Sequence, residues 1–149
     1  MLGLFRGRRG RRRKPEHCNA VYGEAFFCGI MERVDSLMRE EKYYLDSRIS
    51  LSHLVRITGT NRTYLSRAIF HSCGAHFCDY VNGWRVREVI AKIKTLADDV
   101  SLYEVALACG FNHRRTFYRA FVRETGIPPL DFMKRQESEE WDVLVKDVL

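Results

Sequence analysis

One short pattern occurs twice in this chain, and it constrains the fold more than any other feature. Residues 50–70 read SLSHLVRITGTNRTYLSRAIF, and residues 101–126 read SLYEVALACGFNHRRTFYRAFVRETG. Leu51, Leu54, Val55 and Gly59 align with Leu102, Val105, Ala106 and Gly110 at an offset of 51. Past the glycine the offset becomes 52, pairing Leu65, Arg67, Ala68, Ile69 and Gly74 with Phe117, Arg119, Ala120, Phe121 and Gly126. Self-similarity of this kind implies two copies of one supersecondary unit. Each copy reads as a short helix, a glycine turn and a second helix with a basic outer face, which is the pattern of a helix-turn-helix.

The rest of the chain supports an all-α fold of about seven helices, with no competing strand pattern. Phe26, Phe27, Ile30, Val34, Leu37 and Met38 recur at helical spacing, predicting a helix from about Glu24 to Glu41. Ser50 is a suitable N-cap for the first short helix, and Asn61 for the helix that follows the 58–60 turn. Between the repeats, Phe77, Tyr80, Val81, Trp84, Val86, Val89, Ile90, Ile93 and Leu96 form a long amphipathic stripe. They predict a linker helix over about 76–97, whose length would set how far apart the repeats stand. Ser101 and Glu104 have capping-box spacing. Asn112 reads as the cap of the next helix, Gly126 as its stop, and Pro128-Pro129 as the opening of a last short helix carrying Leu130, Phe132 and Met133. The expected organisation is a basic tail at 1–20, one domain at 21–136 and an acidic tail at 137–149. Within the domain the two units lie at about 50–74 and 101–126.

Charge is informative only once it is located. Seven of the 25 basic residues, Arg6 to Lys14, lie in the first 14 positions; the remaining 18 face 19 acids, so the rest of the chain nets −1. Yet no Asp or Glu occurs from Ser47 to Cys78 or from Val105 to Arg123, the windows holding both repeats' second helices. Acids gather instead at Glu137, Glu139, Glu140, Asp142 and Asp147. Such segregation suits a polyanion on one face.

Helical spacing then separates packing from reading. Leu65, Ala68 and Ile69 share one face, expected to pack on Leu51, Leu54 and Val55; Thr63, Ser66 and Arg67 point away, with Arg62 in the first turn. In the second copy Phe117, Ala120 and Phe121 face inward, leaving Arg114, Arg115, Tyr118 and Arg119 outward. Arginine can donate two bonds to guanine O6 and N7, while Ser and Thr fit polar base edges or the thymine methyl. Asn61, Arg62, Asn112 and His113 sit at the helix N-termini, where backbone N–H groups and the dipole favour phosphate. Thr63 and Thr116 could equally support the helix starts, and Tyr118 could pack rather than read.

Residues from about Tyr43 to Arg135 resemble the DNA-binding region of the AraC/XylS family of bacterial transcription regulators. The most specific parts are A-x-x-x-G-F at Ala106 to Phe111, F-x-R-x-F at Phe117, Arg119 and Phe121, and G-x-x-P at Gly126 and Pro129. Asn61 to Arg67 is similar to the family's first recognition helix. The resemblance implies two homeodomain-like helix-turn-helix units joined by a linker helix, inserted into successive major-groove segments of promoter or operator DNA. It also implies Thr63, Ser66 and Arg67 as first-helix base contacts, and Arg114, Arg115, Tyr118 and Arg119 as second-helix contacts. Further implications are RNA polymerase as a partner, a dimer in the full-length protein, and a sensor or effector domain that these 149 residues lack. Val55 stands where the family usually has alanine, which implies slightly wider packing in the first unit.

The expected function is sequence-specific binding of double-stranded DNA in bacterial transcription regulation, in the cytoplasm or on the inner membrane. The alternative is a helix-turn-helix module that binds a protein. His71, Cys73, His76 and Cys78 carry metal-ligating groups, but their spacing fits no standard finger, so neither metal nor cofactor is expected. No phosphate-binding glycine loop, metalloprotease motif or nucleophile elbow is present, so no enzyme is expected. Five cysteines form no regular framework, which suits a reducing compartment. The arginine-rich start has three open readings: an arm adding sequence-independent DNA affinity, a membrane-proximal segment, or a solvated tail.

Overall fold

Helix ends follow the polar punctuation of the sequence closely. The computed structural model describes residues 23–93 and 101–134, and among these it contains seven α-helices and no strand. They are α1 (Glu24–Glu40), α2 (Leu51–Thr58), α3 (Arg62–Cys73), α4 (Phe77–Ile93), α5 (Leu102–Ala108), α6 (Arg114–Thr125) and α7 (Pro129–Lys134), with a 3-10 turn at Tyr43–Leu45. The Ser50 hydroxyl accepts the His53 N–H at 3.2 Å, and the Asn61 side chain accepts the Tyr64 N–H at 2.9 Å. The Glu104 carboxylate reaches back to the Ser101 N–H at 3.3 Å, closing the capping box at α5. Gly74 and Gly126 end α3 and α6 in left-handed conformation, each donating its N–H to the carbonyl four residues back. The described part of the linker helix is α4; Leu96, the basic tail at 1–20 and the acidic tail at 137–149 lie outside the described residues.

The chain divides into two compact units. In the first, which includes residues 23–43 and 48–80, α1 supplies Phe27, Ile30, Met31, Val34 and Met38 to a core closed by Leu54 of α2 and by Leu65, Ala68 and Ile69 of α3. Leu51 and Val55 are only half-buried, whereas Ala106, the counterpart of Val55, is fully buried. The extra methyls of Val55 therefore sit at the edge of the first core. Several polar groups of this unit find their partners within it. The Thr58 hydroxyl donates to the Leu54 carbonyl at 2.7 Å, Arg33 donates to the Thr58 carbonyl at 3.2 Å, and the Tyr80 hydroxyl donates to Asp35 at 2.5 Å.

The second unit includes residues 44–47, 81–93 and 101–134. Its core gathers Val86, Val89, Ile90 and Ile93 of α4, Val105 and Ala106 of α5, Phe117 and Phe121 of α6, and Phe132 of α7. An edge-to-face aromatic series runs from Phe111 to Phe117 (5.3 Å), to Phe121 (5.6 Å) and on to Phe132 (5.2 Å). Such pairs add to area burial and hold α6 against the turn before it and the helix after it. Cys109 is completely buried within this cluster, as its place in an apolar pattern predicts.

Candidate nucleic-acid interface

Burial splits α3 and α6 along the faces expected from spacing. On α3, Leu65, Ala68 and Ile69 have no exposed surface, while Asn61, Arg62, Thr63 and Arg67 are exposed and Ser66 is half-buried. Arg62 donates to the Ser52 hydroxyl at 3.4 Å, linking the first turn of α3 to α2. Behind the helix, Tyr64 meets Phe26 edge-on at 5.3 Å, and His71 stacks on Phe27 at 5.9 Å. His71 and His76 thus serve as aromatic contacts, the latter against Phe70 at 5.5 Å; no group of three metal-ligating side chains occurs among the described residues.

On α6, Phe117, Ala120 and Phe121 are buried, and Arg114, Arg115, Thr116 and Arg119 are exposed. Tyr118 differs from its neighbours. It is half-buried and packed on the core through Phe117, with which its ring makes an edge contact at 5.5 Å. The Arg114 guanidinium lies over the Tyr118 ring at 5.5 Å, and the tyrosine hydroxyl raises the arginine's pKa further above its ordinary range. Like any arginine, Arg114 is a fixed cation at working pH. At the far end of the acid-free window, Arg123 is held by Glu124 at 3.0 Å.

One expectation is corrected. Asn112 does not cap α6: His113 occupies the N-cap position, without a side-chain cap, and the Asn112 amide donates instead to the Ser47 carbonyl at 3.3 Å. The reason lies in the repeat offset. From the turn glycine to the N-cap is two residues in the first copy (Gly59 to Asn61) and three in the second (Gly110 to His113). The added residue, Phe111, turns into the core and is almost fully buried. The step from 51 to 52 already aligned Asn61 with His113.

Sequence reasoning missed Arg85. It falls within the apolar stripe of α4 and is only 8% exposed, its charge met by the carbonyls of Tyr44 (2.7 Å) and Asp46 (2.9 Å) and by the Asn82 side chain (3.3 Å). Backbone acceptors leave no trace in a sequence, and an arginine between Trp84 and Val86 reads as a solvated residue.

Two buried-backed basic helix faces, each following a glycine turn, are suited to major-groove insertion. A family model described as a helix-turn-helix domain matches residues 54–135, more than half of the chain. A solved structure of a protein of unknown function from Listeria innocua is 27% identical, with a TM-score of 0.60, over 70% of this chain and 95% of that one. No curated protein matches the chain. None of the described helices is long and apolar enough to cross a membrane. The chain belongs to the AraC-type helix-turn-helix family, a family of DNA-binding transcription regulators.

Proposed function

We propose that this domain reads a specific duplex sequence through two major-groove probes, α3 and α6. Thr63, Ser66 and Arg67 contact bases from α3, and Arg114, Arg115 and Arg119 do so from α6, with Tyr118 beside Arg114. Asn61, Arg62 and His113 meet phosphates at the helix starts, where backbone N–H groups also point outward. The observation that carries this reading is the repeated division of one helix into a fully buried apolar face and an exposed, acid-free basic face. A solvated basic face arises easily once; its recurrence at matched positions of two copies supports a shared ligand.

The fuller form of the reading takes the domain as the output of a larger sensor-regulator, with RNA polymerase as a second partner. The family resemblance supports this, and the arginine cluster at Arg6 to Lys14 supports an anionic surface, DNA or membrane, as its neighbour.

Selection of bound duplexes from a random pool, followed by salt titration of the selected and scrambled sequences, tests the reading. Both affinities should fall steeply with salt, and the selected duplex should remain tighter by at least about a thousandfold. Equal affinity for the two would refute sequence-specific reading and leave a nonspecific or protein-binding module.

A further inference from the structure

The turn preceding α6 is clamped from outside its own helix-turn-helix. Residues Tyr44–Ser47 belong to the second compact unit, although they precede the whole first repeat in the chain. This short strap lies against the Gly110–Asn112 turn so closely that a Cβ at Gly110 would stand 2.8 Å from the carbonyl oxygens of both Tyr44 and Leu45.

Three side chains hold it there. Arg85 donates through Nε to the Tyr44 carbonyl and through a terminal nitrogen to the Asp46 carbonyl, and its guanidinium lies 5.7 Å from the Phe111 ring. Asn112 donates to the Ser47 carbonyl. The Tyr44 hydroxyl donates to Glu88 of α4 at 2.8 Å while its ring stacks on Trp84 at 5.8 Å. A planar guanidinium donates to two carbonyls in one fixed orientation, which a lysine ammonium cannot reproduce.

We propose that Arg85 and Asn112 are positioning residues for the second reading helix: by clamping the 44–47 backbone onto the Gly110–Asn112 turn, they set the direction in which α6 leaves that turn. The inference rests on α6 being a reading helix. Neither residue needs to touch DNA. Asn112 in this role is a strap contact rather than a phosphate ligand, and the two roles differ in what its removal does.

The test compares base-preference profiles, obtained from selected duplexes carrying every single-base substitution, for the full chain and its variants. Positions weakened by Arg114→Ala, Arg115→Ala or Arg119→Ala together mark the α6 footprint, and those weakened by Thr63→Ala, Ser66→Ala or Arg67→Ala mark the α3 footprint. Arg85→Lys should flatten preference across the α6 positions by about tenfold and Asn112→Ala by a few-fold, with the α3 positions unchanged. Should Arg85→Lys fail to fold by circular dichroism, Asn112→Ala, at an exposed position, decides the matter. Loss spread evenly over both footprints would overturn the proposal and return Asn112 to phosphate binding. An unchanged profile in a folded variant would equally overturn that residue's assignment. A wild-type chain without base preference would remove the underlying reading as well, and is distinguishable because no footprints would then exist.

Discussion

The guanidinium of Arg114 rests over the ring of Tyr118, 5.5 Å from its centroid, with a nitrogen 3.5 Å from the phenol oxygen. The pair spans one helical turn at the start of α6, and only the tyrosine is anchored in the core. Tyr118 thus acts as a shelf that restricts the arginine's rotamers before DNA arrives. Tyr118→Phe, which keeps the ring, should reduce affinity for the selected duplex less than Tyr118→Ala, which removes the shelf and gives a few-fold loss. Binding isotherms at one salt concentration check this; equal losses for the two variants would show that the hydroxyl, not the ring, matters.

Arg67 and Arg115 are exposed on helices whose other face is locked. Replacing either by alanine should leave thermal stability within about 0.5 kcal/mol, as for ordinary surface changes. Each should cost about 1–3 kcal/mol in specific binding and relax preference at one base position. Uniform weakening on selected and scrambled DNA would mark the residue as a phosphate contact instead.

Gly59 and Gly110 occupy corresponding turns but differ in surroundings. A Cβ at Gly59, with φ +66°, meets nothing within 4 Å, so Gly59→Ala should cost only the left-handed penalty of about 1–2 kcal/mol. At Gly110, with φ +92°, the same methyl would collide with two carbonyls and with Arg85 Nε at 2.9 Å. Gly110→Ala should therefore destabilise by about 3 kcal/mol or more in urea denaturation.

Tyr44 supplies a pH-dependent contrast. Burial, and then the hydrogen bond and charge of Glu88, push its hydroxyl well above the ordinary tyrosine value. The folded chain therefore holds the proton more tightly than the unfolded chain. This contribution is complete below about pH 10 and is lost as pH rises, because the unfolded state ionises first. Tyr44→Phe should lower stability near neutrality by about 1.5 kcal/mol, the order expected for a bond to a charged acceptor. It should also show a shallower fall in Tm than the wild type as pH rises above about pH 10. Parallel slopes would rule out the assignment.

Much of this architecture was legible because its determinants are local. Ser50, Asn61, Gly74 and Gly126 act within four residues of themselves, and a reader of the sequence can place them. The faces of α3 and α6 were legible for a similar reason, since period alone assigns Leu65 and Phe117 inward and Arg67 and Arg115 outward. Met31, between Ile30 and Glu32, is buried although the stripe chosen for α1 omitted it and included the exposed Phe26. What escaped depends on partners distant in the chain. Arg85 takes its acceptors 39 and 41 residues away, and Asn112 reaches back 65 residues to Ser47. Side-chain identity carries no information about such backbone acceptors.

The additional residue that Phe111 brings to the second turn has a practical consequence for anyone redesigning the target sequence. The spans from Asn61 to Gly74 and from His113 to Gly126 are equal in length, so cassettes cut at those boundaries are interchangeable in register. Cassettes cut at the turn glycines are not, because they would delete or duplicate a buried ring. Grafts joined at the N-cap should yield foldable chimeras with exchanged half-site preferences.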